Sequence, residues 1–187
     1  MIEEKFSPQK LNMIFYDSPI SRAYVNIIRL NNIKIGKIIF LINKKFRFLP
    51  NKLAIYMNFN RNNYRAIELQ KDEIFFQLKN QILSYFSLDN SFYDNLYSFK
   101  NYYNISGEII YVKNDDINSD ELYNLICDKK NDYLYTGGGI LKERILNTNN
   151  RFFHIHPGYL PEVRGADGLL WSALKFNCFG VSFFQMN

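Results

Sequence analysis

Short apolar runs alternate with polar stretches that favour helix starts along much of the chain. Leu11–Tyr16 is such a run, and Asp17 and Ser18 follow it as N-cap residues before Pro19 at the first helical position. The pattern predicts a strand over 11–16 and a helix over 19–30. A helical stripe of apolar residues predicts the packed side of that helix: Ile20, Ala23, Tyr24, Ile27 and Ile28. A second strand, KIIFLI, follows Gly36 and completes a β-α-β unit.

A second β-α-β unit is predicted in the carboxyl-terminal half. GEIIYVK, from Gly107, has the composition of a buried strand, and Asn118 or Ser119 can cap a helix with acidic residues in its first turn. The strand DYLYT then leads directly into Gly137–Gly139. Between the two units, residues 51–104 have a helical period, which predicts a helical insertion with helices near 71–86 and 92–99.

Composition limits the classes of protein to consider. The chain has 187 residues, 47% of them hydrophobic and 22% charged, which suits a single folded domain over 1–187. No apolar run approaches the roughly 20 residues of a membrane span, and the acidic opening does not resemble a signal peptide, so we expect a cytoplasmic protein with no membrane partner. Cys127 and Cys178 are far apart and are expected to be buried thiols.

Net charge and turn sequences limit the classes of ligand to expect. The net charge of +5 favours anionic ligands, such as a nucleotide or a polyglutamylated cofactor, by electrostatic steering. No single basic strip with interleaved aromatic residues stands out, so we do not expect nucleic acid as a partner. The turn DSPIS of the first unit lacks the GxGxxG pattern, so we predict neither a nicotinamide nor a flavin enzyme.

Residues with special backbone properties concentrate near the end of the chain. Seven of the nine glycines, two of the five prolines and both histidines lie between 137 and 180. Open α/β sheets bind ligands at the carboxyl ends of their strands, so this region is the candidate site. Gly137–Gly139 has two interpretations: a flexible turn, or a bare backbone against which a flat ligand can lie.

His154 and His156 stand two apart in a run of strand character, so their side chains should project from one face. Three interpretations remain open from the residues alone. The pair could bind a metal, although the chain has no third histidine. Both rings could be partly buried structural groups, or one could be a general acid/base with a neighbouring hydrogen-bond donor.

The segment HPGYLPEVRG, followed by ADGLLWSAL, resembles the signature of the folate-dependent formyltransferases. GGGILKERIL resembles the strand-loop-helix segment that precedes that signature in the same family. The resemblance covers residues 108–186 well and the first β-α-β unit only in general shape. It implies an α/β fold with a Rossmann-like, doubly wound, mostly parallel sheet. It also implies 10-formyltetrahydrofolate as formyl donor, and no metal.

The same resemblance implies roles for individual residues. The pterin would lie against the loop formed by Gly137, Gly138, Gly139, Ile140 and Leu141. His156 would hold the catalytic histidine position, where it either donates to the oxyanion or relays a proton. His154 stands where the family usually has asparagine and could donate to the formyl oxygen.

The loop after the histidines would form the acceptor side. Pro157 and Gly158 would fix its course, and Arg164 and Gly165 would shape the acceptor pocket. Arg164 could bind a phosphate in bidentate fashion. A salt bridge from Arg164 to Glu162 or Asp167 is the alternative.

The expected reaction is formylation of a primary amine, with a nucleotide-linked amino sugar as the favoured acceptor. The family carries a catalytic aspartate in a loop after the strand that corresponds to GVSFFQM, whereas the sequence ends at Asn187. We therefore expect a catalytic domain truncated at its carboxyl end. The alternative is an impaired relative that binds folate or nucleotide without turnover, and a metal-dependent hydrolase is a third possibility.

Overall fold

A computed structural model describes residues 11–69, 73–96, 106–165 and 167–186. Its strands are β1 (Leu11–Tyr16), β2 (Ile35–Leu41), β3 (Ser106–Val112), β4 (Asp132–Tyr135), β5 (Arg151–His156) and β6 (Ser182–Met186). They form one sheet in the order β3-β2-β1-β4-β5-β6. The first five pair in parallel, and β6 runs antiparallel to β5. The sheet is therefore mixed and mostly parallel, as expected for an α/β fold.

Seven helices of the described residues connect or flank the strands: α1 (Pro19–Leu30), α2 (Asn51–Leu69), α3 (Glu73–Tyr85), α4 (Asn90–Leu96), α5 (Asp120–Ile126), α6 (Glu143–Leu146) and α7 (Gly168–Phe176). A short 3₁₀ turn, Lys44–Phe46, follows β2. Parallel neighbours such as β1 and β2 need a crossover, and α1 supplies it.

Both faces of the sheet carry a hydrophobic core. On one face, Met13 and Phe40 pack with Val25 of α1 and Ile55 of α2. On the other, strand residues such as Ile14 pack with α5 and α6. Because adjacent strand residues point to opposite faces, a strand buried on both sides must be apolar throughout. This explains why β1 and β2 were visible as continuous apolar runs.

The helix starts are confirmed. Ser18 caps α1, its hydroxyl accepting from the Ser21 amide at 3.1 Å, and Pro19 is the first helical residue. Ser119 caps α5 in the same way, accepting from the Leu122 amide at 3.3 Å. In each case a side-chain oxygen satisfies an amide that has no partner within its helix.

The predicted packing face of α1 is only partly correct: Ile28 packs against the core and Ala23 and Tyr24 are half-buried. Ile20 and Ile27 are about half exposed, and the buried positions are Ser21, Arg22, Val25 and Asn26. These polar side chains have distant partners, among them the carbonyls of Thr136, Leu96 and Phe92. The helix therefore packs a largely polar side through hydrogen bonds to distant carbonyls and a buried ion pair of Arg22 with Asp17, which hydropathy cannot indicate.

The segment after β2 is helical, but its elements differ from the prediction. Residues 51–69 form the long helix α2, which was not predicted, and Ala54, Ile55 and Phe59 place it in the core. The helix expected near 71–86 corresponds to α3, and the one expected near 92–99 corresponds to α4. Residues 70–72 and 97–105 lie outside the described residues. That 51–104 is an insertion stays a prediction.

Two further expectations concern the burial of the cysteines and the absence of membrane-spanning helices. Cys127 is half-buried and Cys178 is exposed, so the expectation of two buried thiols is wrong. Cys178 lies in the turn between α7 and β6. Among the described helices, none combines the length and apolar character needed to cross a bilayer.

Candidate functional site

The carboxyl ends of β1 and β4 meet where the strand order reverses. β1 leads to β2 on one side, whereas β4 pairs with β1 on the other. Thr136, directly after β4, joins the two ends: its amide donates to the Ile14 carbonyl at 3.1 Å, and its hydroxyl accepts from the Tyr16 amide at 3.0 Å. Such a reversal point is where open α/β sheets form ligand crevices.

A cavity of about 490 Å³ lies at this edge of the sheet. Its walls come from the end of β1, the loop between β3 and α5, the end of β4 and the glycine loop. The lining residues are Tyr16, Asp115, Asp116, Ile117, Asn118, Tyr135, Gly138, Gly139 and Ile140. The volume is within the range of small-molecule sites.

Close packing behind the glycine loop holds it in place. A Cβ on Gly137 would lie 2.5 Å from the Tyr135 hydroxyl oxygen and 2.8 Å from Cβ of Tyr16. The Tyr135 hydroxyl donates to the Gly138 carbonyl at 2.6 Å. Gly139 has φ of +105°, a conformation that favours glycine. The loop therefore forms a wall of the cavity, with Gly137 packed behind it.

Asn118 ties the opposite wall to the glycine loop. Its amide nitrogen donates to the Ile140 carbonyl at 3.0 Å, and its amide oxygen accepts from the Lys142 amide at 2.7 Å. Both ends of the side chain are thus occupied by backbone groups. Asp116 accepts from the Asn118 amide at 2.8 Å, which shapes the turn that carries it.

The five residues predicted to hold the pterin occupy three environments. Gly138, Gly139 and Ile140 line the cavity. Gly137 is buried behind it, and Leu141, 5% exposed, packs into the core beside α5 and α6. The sequence thus located the loop, while its last residue serves as an anchor.

The two histidines are half-buried on β5, on the face that carries Phe152. Nδ1 of His154 lies 3.0 Å from the Tyr135 carbonyl, and Nε2 of His156 lies 3.0 Å from the Val163 carbonyl. A carbonyl only accepts, so both nitrogens must be protonated. In the neutral rings, the atoms left as acceptors are Nε2 of His154 and Nδ1 of His156.

Neither histidine lines the cavity. His154 is the nearer, because it bonds to the backbone of the cavity residue Tyr135 and its ring centroid lies 6.0 Å from that tyrosine ring. His156 is packed against the following loop, where a Cβ on Gly158 would lie 2.9 Å from its Nε2. A Cβ on Gly168 would collide with the Pro157 carbonyl oxygen. Gly158 and Gly168 therefore allow this loop and α7 to pack closely around the His156 ring.

Two serines fix the loop that follows His156. The Ser182 hydroxyl donates to the Gly158 carbonyl at 2.7 Å and accepts from the Leu160 amide at 3.0 Å. The Ser172 hydroxyl, fully buried on α7, accepts from the Tyr159 amide at 3.2 Å. The loop therefore has a defined course between β5 and α7.

Arg164 and Gly165 lie at the exposed end of this loop. Nε of Arg164 donates to the Pro161 carbonyl at 3.0 Å. Among the described residues, which include Glu162 and Asp167, no carboxylate forms a salt bridge with Arg164. Gly165 has φ of +85°, so it turns the chain toward α7.

Burial controls the protonation of the cavity's inner tyrosine. Desolvation raises the pKa of the Tyr135 hydroxyl, and the nearby Tyr16 and Asp116 raise it further. Tyr135 therefore remains a neutral hydrogen-bond donor at physiological pH.

Sequence reasoning missed six side chains of the cavity: Tyr16, Asp115, Asp116, Ile117, Asn118 and Tyr135. The signal was an acidic loop, NDD, directly after a predicted strand, together with tyrosines at the ends of two others. Over the described residues, no group of three or more His, Cys, Asp or Glu side chains is arranged to hold a metal ion.

The chain was also compared with known proteins. No family model, curated protein or solved structure matches it. Any statement of function therefore rests on the sequence motifs and on the geometry of this edge of the sheet.

Proposed function

We propose that the chain is a formyltransferase that moves a formyl group from 10-formyltetrahydrofolate to a primary amine. The observation that carries the proposal is the coincidence of two features at one edge of the sheet. The segment HPGYLPEVRG begins at the end of β5, and the glycine loop after the neighbouring β4 forms one wall of a cavity.

Several properties of the cavity support a pterin as its occupant. The backbone of Gly138 and Gly139 forms one wall without side chains, which suits a flat heterocycle. Tyr16 and Tyr135 supply aromatic surface, and Asp115 and Asp116 supply carboxylates near the opposite wall. A pterin carries several N–H donors, which pair well with carboxylate and carbonyl oxygens.

The reaction requires a proton to move between two nitrogens. The acceptor amine attacks the formyl carbon, forming a C–N bond and a tetrahedral oxyanion. The bond from that carbon to the donor nitrogen of the folate then breaks. The ammonium proton passes to the departing nitrogen, so that a formamide and tetrahydrofolate result.

The tautomers support distinct roles for the two histidines. Because His156 donates through Nε2 to Val163, its neutral ring has Nδ1 free to accept a proton, which favours the relay role over oxyanion donation. His154, whose Nδ1 donates to the Tyr135 carbonyl, would hold that carbonyl and the adjoining glycine loop in position. The acceptor amine, which we propose to be carried on a nucleotide-linked sugar, would approach over the loop bearing Arg164.

A second candidate, binding of folate or nucleotide without turnover, is favoured by one observation. Both histidines already bond to backbone carbonyls, and neither lines the cavity. A cavity that binds the donor while no proton-transferring group reaches it would be a binding site only.

A turnover assay separates the two candidates. The chain is mixed with 10-formyltetrahydrofolate and a panel of primary amines that includes nucleotide-linked amino sugars, and release of tetrahydrofolate is followed spectroscopically. We expect release that depends on one class of amine. Saturable donor binding without release from any amine would support the binding-only candidate.

Variants then test the roles of the histidines. His156→Ala should reduce turnover by about 100-fold or more while leaving donor affinity nearly unchanged. His154→Asn, which introduces the residue usual in the family that the chain resembles, should retain most activity. Thermal unfolding of both variants controls for loss of packing, because a His156→Ala variant that no longer folds would indicate a structural role.

A further inference from the structure

The segment directly after β2 is basic and exposed. Lys44, Lys45, Arg47 and Lys52 lie within nine positions, at the 3₁₀ turn and the start of α2, and all four are exposed. Arg47 stacks on Phe48, its guanidinium carbon 4.6 Å from the ring centroid, and Phe48 is 84% exposed. No salt bridge neutralises the four cations within the described part of the chain.

Direct contacts attach this segment to the cavity wall. Asp115, which lines the cavity, accepts from the Lys44 amide at 3.3 Å and from the Asn43 side-chain amide. Nζ of Lys113, in the same loop as Asp115, donates to the Leu49 carbonyl at 2.7 Å. The basic segment therefore forms the rim of the cavity next to the acidic wall.

Its backbone is anchored while its charges face solvent. Phe46 and Leu49 pack against the core cluster that contains Phe40 and Ile55. The Asn43 amide donates to the Asn58 side chain of α2 at 3.0 Å, and the Lys45 amide donates to the Asn43 side chain at 3.1 Å. A rim held in this way presents its cations at a fixed place beside the cavity.

The site is therefore divided by charge. Asp115 and Asp116 favour a head group that donates hydrogen bonds and disfavour an anion inside the cavity. The lysines and Arg47 at the rim favour anions just outside it. A ligand that fits both parts has a neutral heterocycle rich in N–H groups at one end and several negative charges at the other.

We propose that the rim segment 44–52 binds the polyglutamyl tail of the folate donor while the cavity holds its pterin. The inference rests on the proposed function, because it takes the donor to be a folate. Each added glutamate contributes a carboxylate that can pair with an exposed cation, an interaction of modest strength that salt weakens.

The test compares donors that differ only in tail length. Dissociation constants of 10-formyltetrahydrofolate bearing one or five glutamates are measured by calorimetry with the full chain at low ionic strength. We expect the pentaglutamate to bind about tenfold more tightly, equal to about 1.4 kcal/mol. Raising the ionic strength from about 0.05 M to about 0.5 M should remove most of that preference.

Charge-reversed variants locate the effect. Lys44→Glu with Lys45→Glu should abolish the tail preference, so that the pentaglutamate and monoglutamate donors bind with equal affinity. The matched control is Lys129→Glu with Lys130→Glu, the same change of net charge at an exposed lysine pair that precedes β4, at the opposite edge of the sheet. The control should keep most of the preference.

The outcomes distinguish the inference from the proposed function. If neither donor binds the wild-type chain, the folate assignment itself fails. If both bind equally, or if the two variants lose the preference to the same extent, the rim is not a tail site. Tight binding of ATP in place of either folate, lost in the Lys44/Lys45 variant, would also overturn the inference, because the rim would then serve phosphates.

Discussion

Replacing Gly137 by alanine should destabilise the chain and deform the cavity, although the change adds only one methyl group. The new Cβ would lie 2.5 Å from the Tyr135 hydroxyl oxygen and 2.8 Å from Cβ of Tyr16. Non-bonded carbons normally approach to about 3.5–4.0 Å, so one of the two tyrosines has to move. Tyr135 is only 2% exposed, so moving it breaks its present packing or pushes its ring into the cavity that it lines.

The expected cost follows from these contacts. Overpacking a buried site costs about 1–3 kcal/mol. Displacing the Tyr135 hydroxyl breaks its 2.6 Å bond to the Gly138 carbonyl, which adds about 0.5–1.5 kcal/mol. Alanine also restricts the backbone of the unfolded chain more than glycine does, which stabilises the folded state by about 0.4–1 kcal/mol. The free energy of unfolding should therefore fall by roughly 0.5–4 kcal/mol, the net of these ranges.

Gly138→Ala is the matched control, because a Cβ there meets no atom within 4 Å. It should leave stability unchanged or raise it by about 0.4–1 kcal/mol. Urea denaturation followed by circular dichroism measures both variants, and donor affinity measured beside it reports on the cavity. The reasoning is refuted if the two variants have equal stability, or if Gly137→Ala leaves unfolding unchanged.

Three more perturbations test the framework around the site. Arg22→Met leaves the buried Asp17 without its cation and should lower the free energy of unfolding by about 3–5 kcal/mol. Adding Asp17→Asn should recover much of that loss. A loss below about 1 kcal/mol would contradict the buried ion pair. Burial raises the pKa of Tyr135, so the unfolded chain ionises first and stability falls as pH rises above about 10. The free energy of unfolding of the wild type and of Tyr135→Phe is measured at about pH 8 and about pH 11. The variant should lose less stability between the two, by up to about 1.4 kcal/mol per pH unit, and equal losses would contradict the raised pKa. Ser182→Ala removes the hydrogen bonds to the Gly158 carbonyl and from the Leu160 amide, so hydrogen exchange at the Leu160 amide should become faster and the free energy of unfolding should fall by about 1–2 kcal/mol. Unaltered exchange at Leu160 would show that the bonds to Ser182 do not hold the loop.

The strands and helix starts could be predicted because their causes are local. β1 and β2 are buried on both faces and are therefore continuous apolar runs, and Ser18 and Ser119 cap helices through bonds to amides three residues away. The buried polar side of α1 could not be predicted. Asn26 is buried against the Phe92 carbonyl, and Arg22 is buried by the Leu96 carbonyl together with its ion pair to Asp17. Hydropathy assigns such side chains to solvent.

Part of the site could also be predicted from local sequence. Glycines after a buried strand marked the loop at 137–139, whose chemistry lies in its own backbone. The facing wall comes from Tyr16 and Asp115, which are about a hundred residues apart and line one cavity because β2 pairs with both β1 and β3. Chain order does not contain strand order, so this part of the cavity needed the three-dimensional structure.

The formyl carbon itself provides the most direct measurement. The chain is incubated with 10-formyltetrahydrofolate labelled with carbon-13 in the formyl group and with the amine panel, and products are analysed by mass spectrometry. The account predicts a labelled formamide of one amine class, formed in equal amount with tetrahydrofolate and strongly reduced in His156→Ala. Label that stays on the folate with every amine, while the donor is bound, would contradict it.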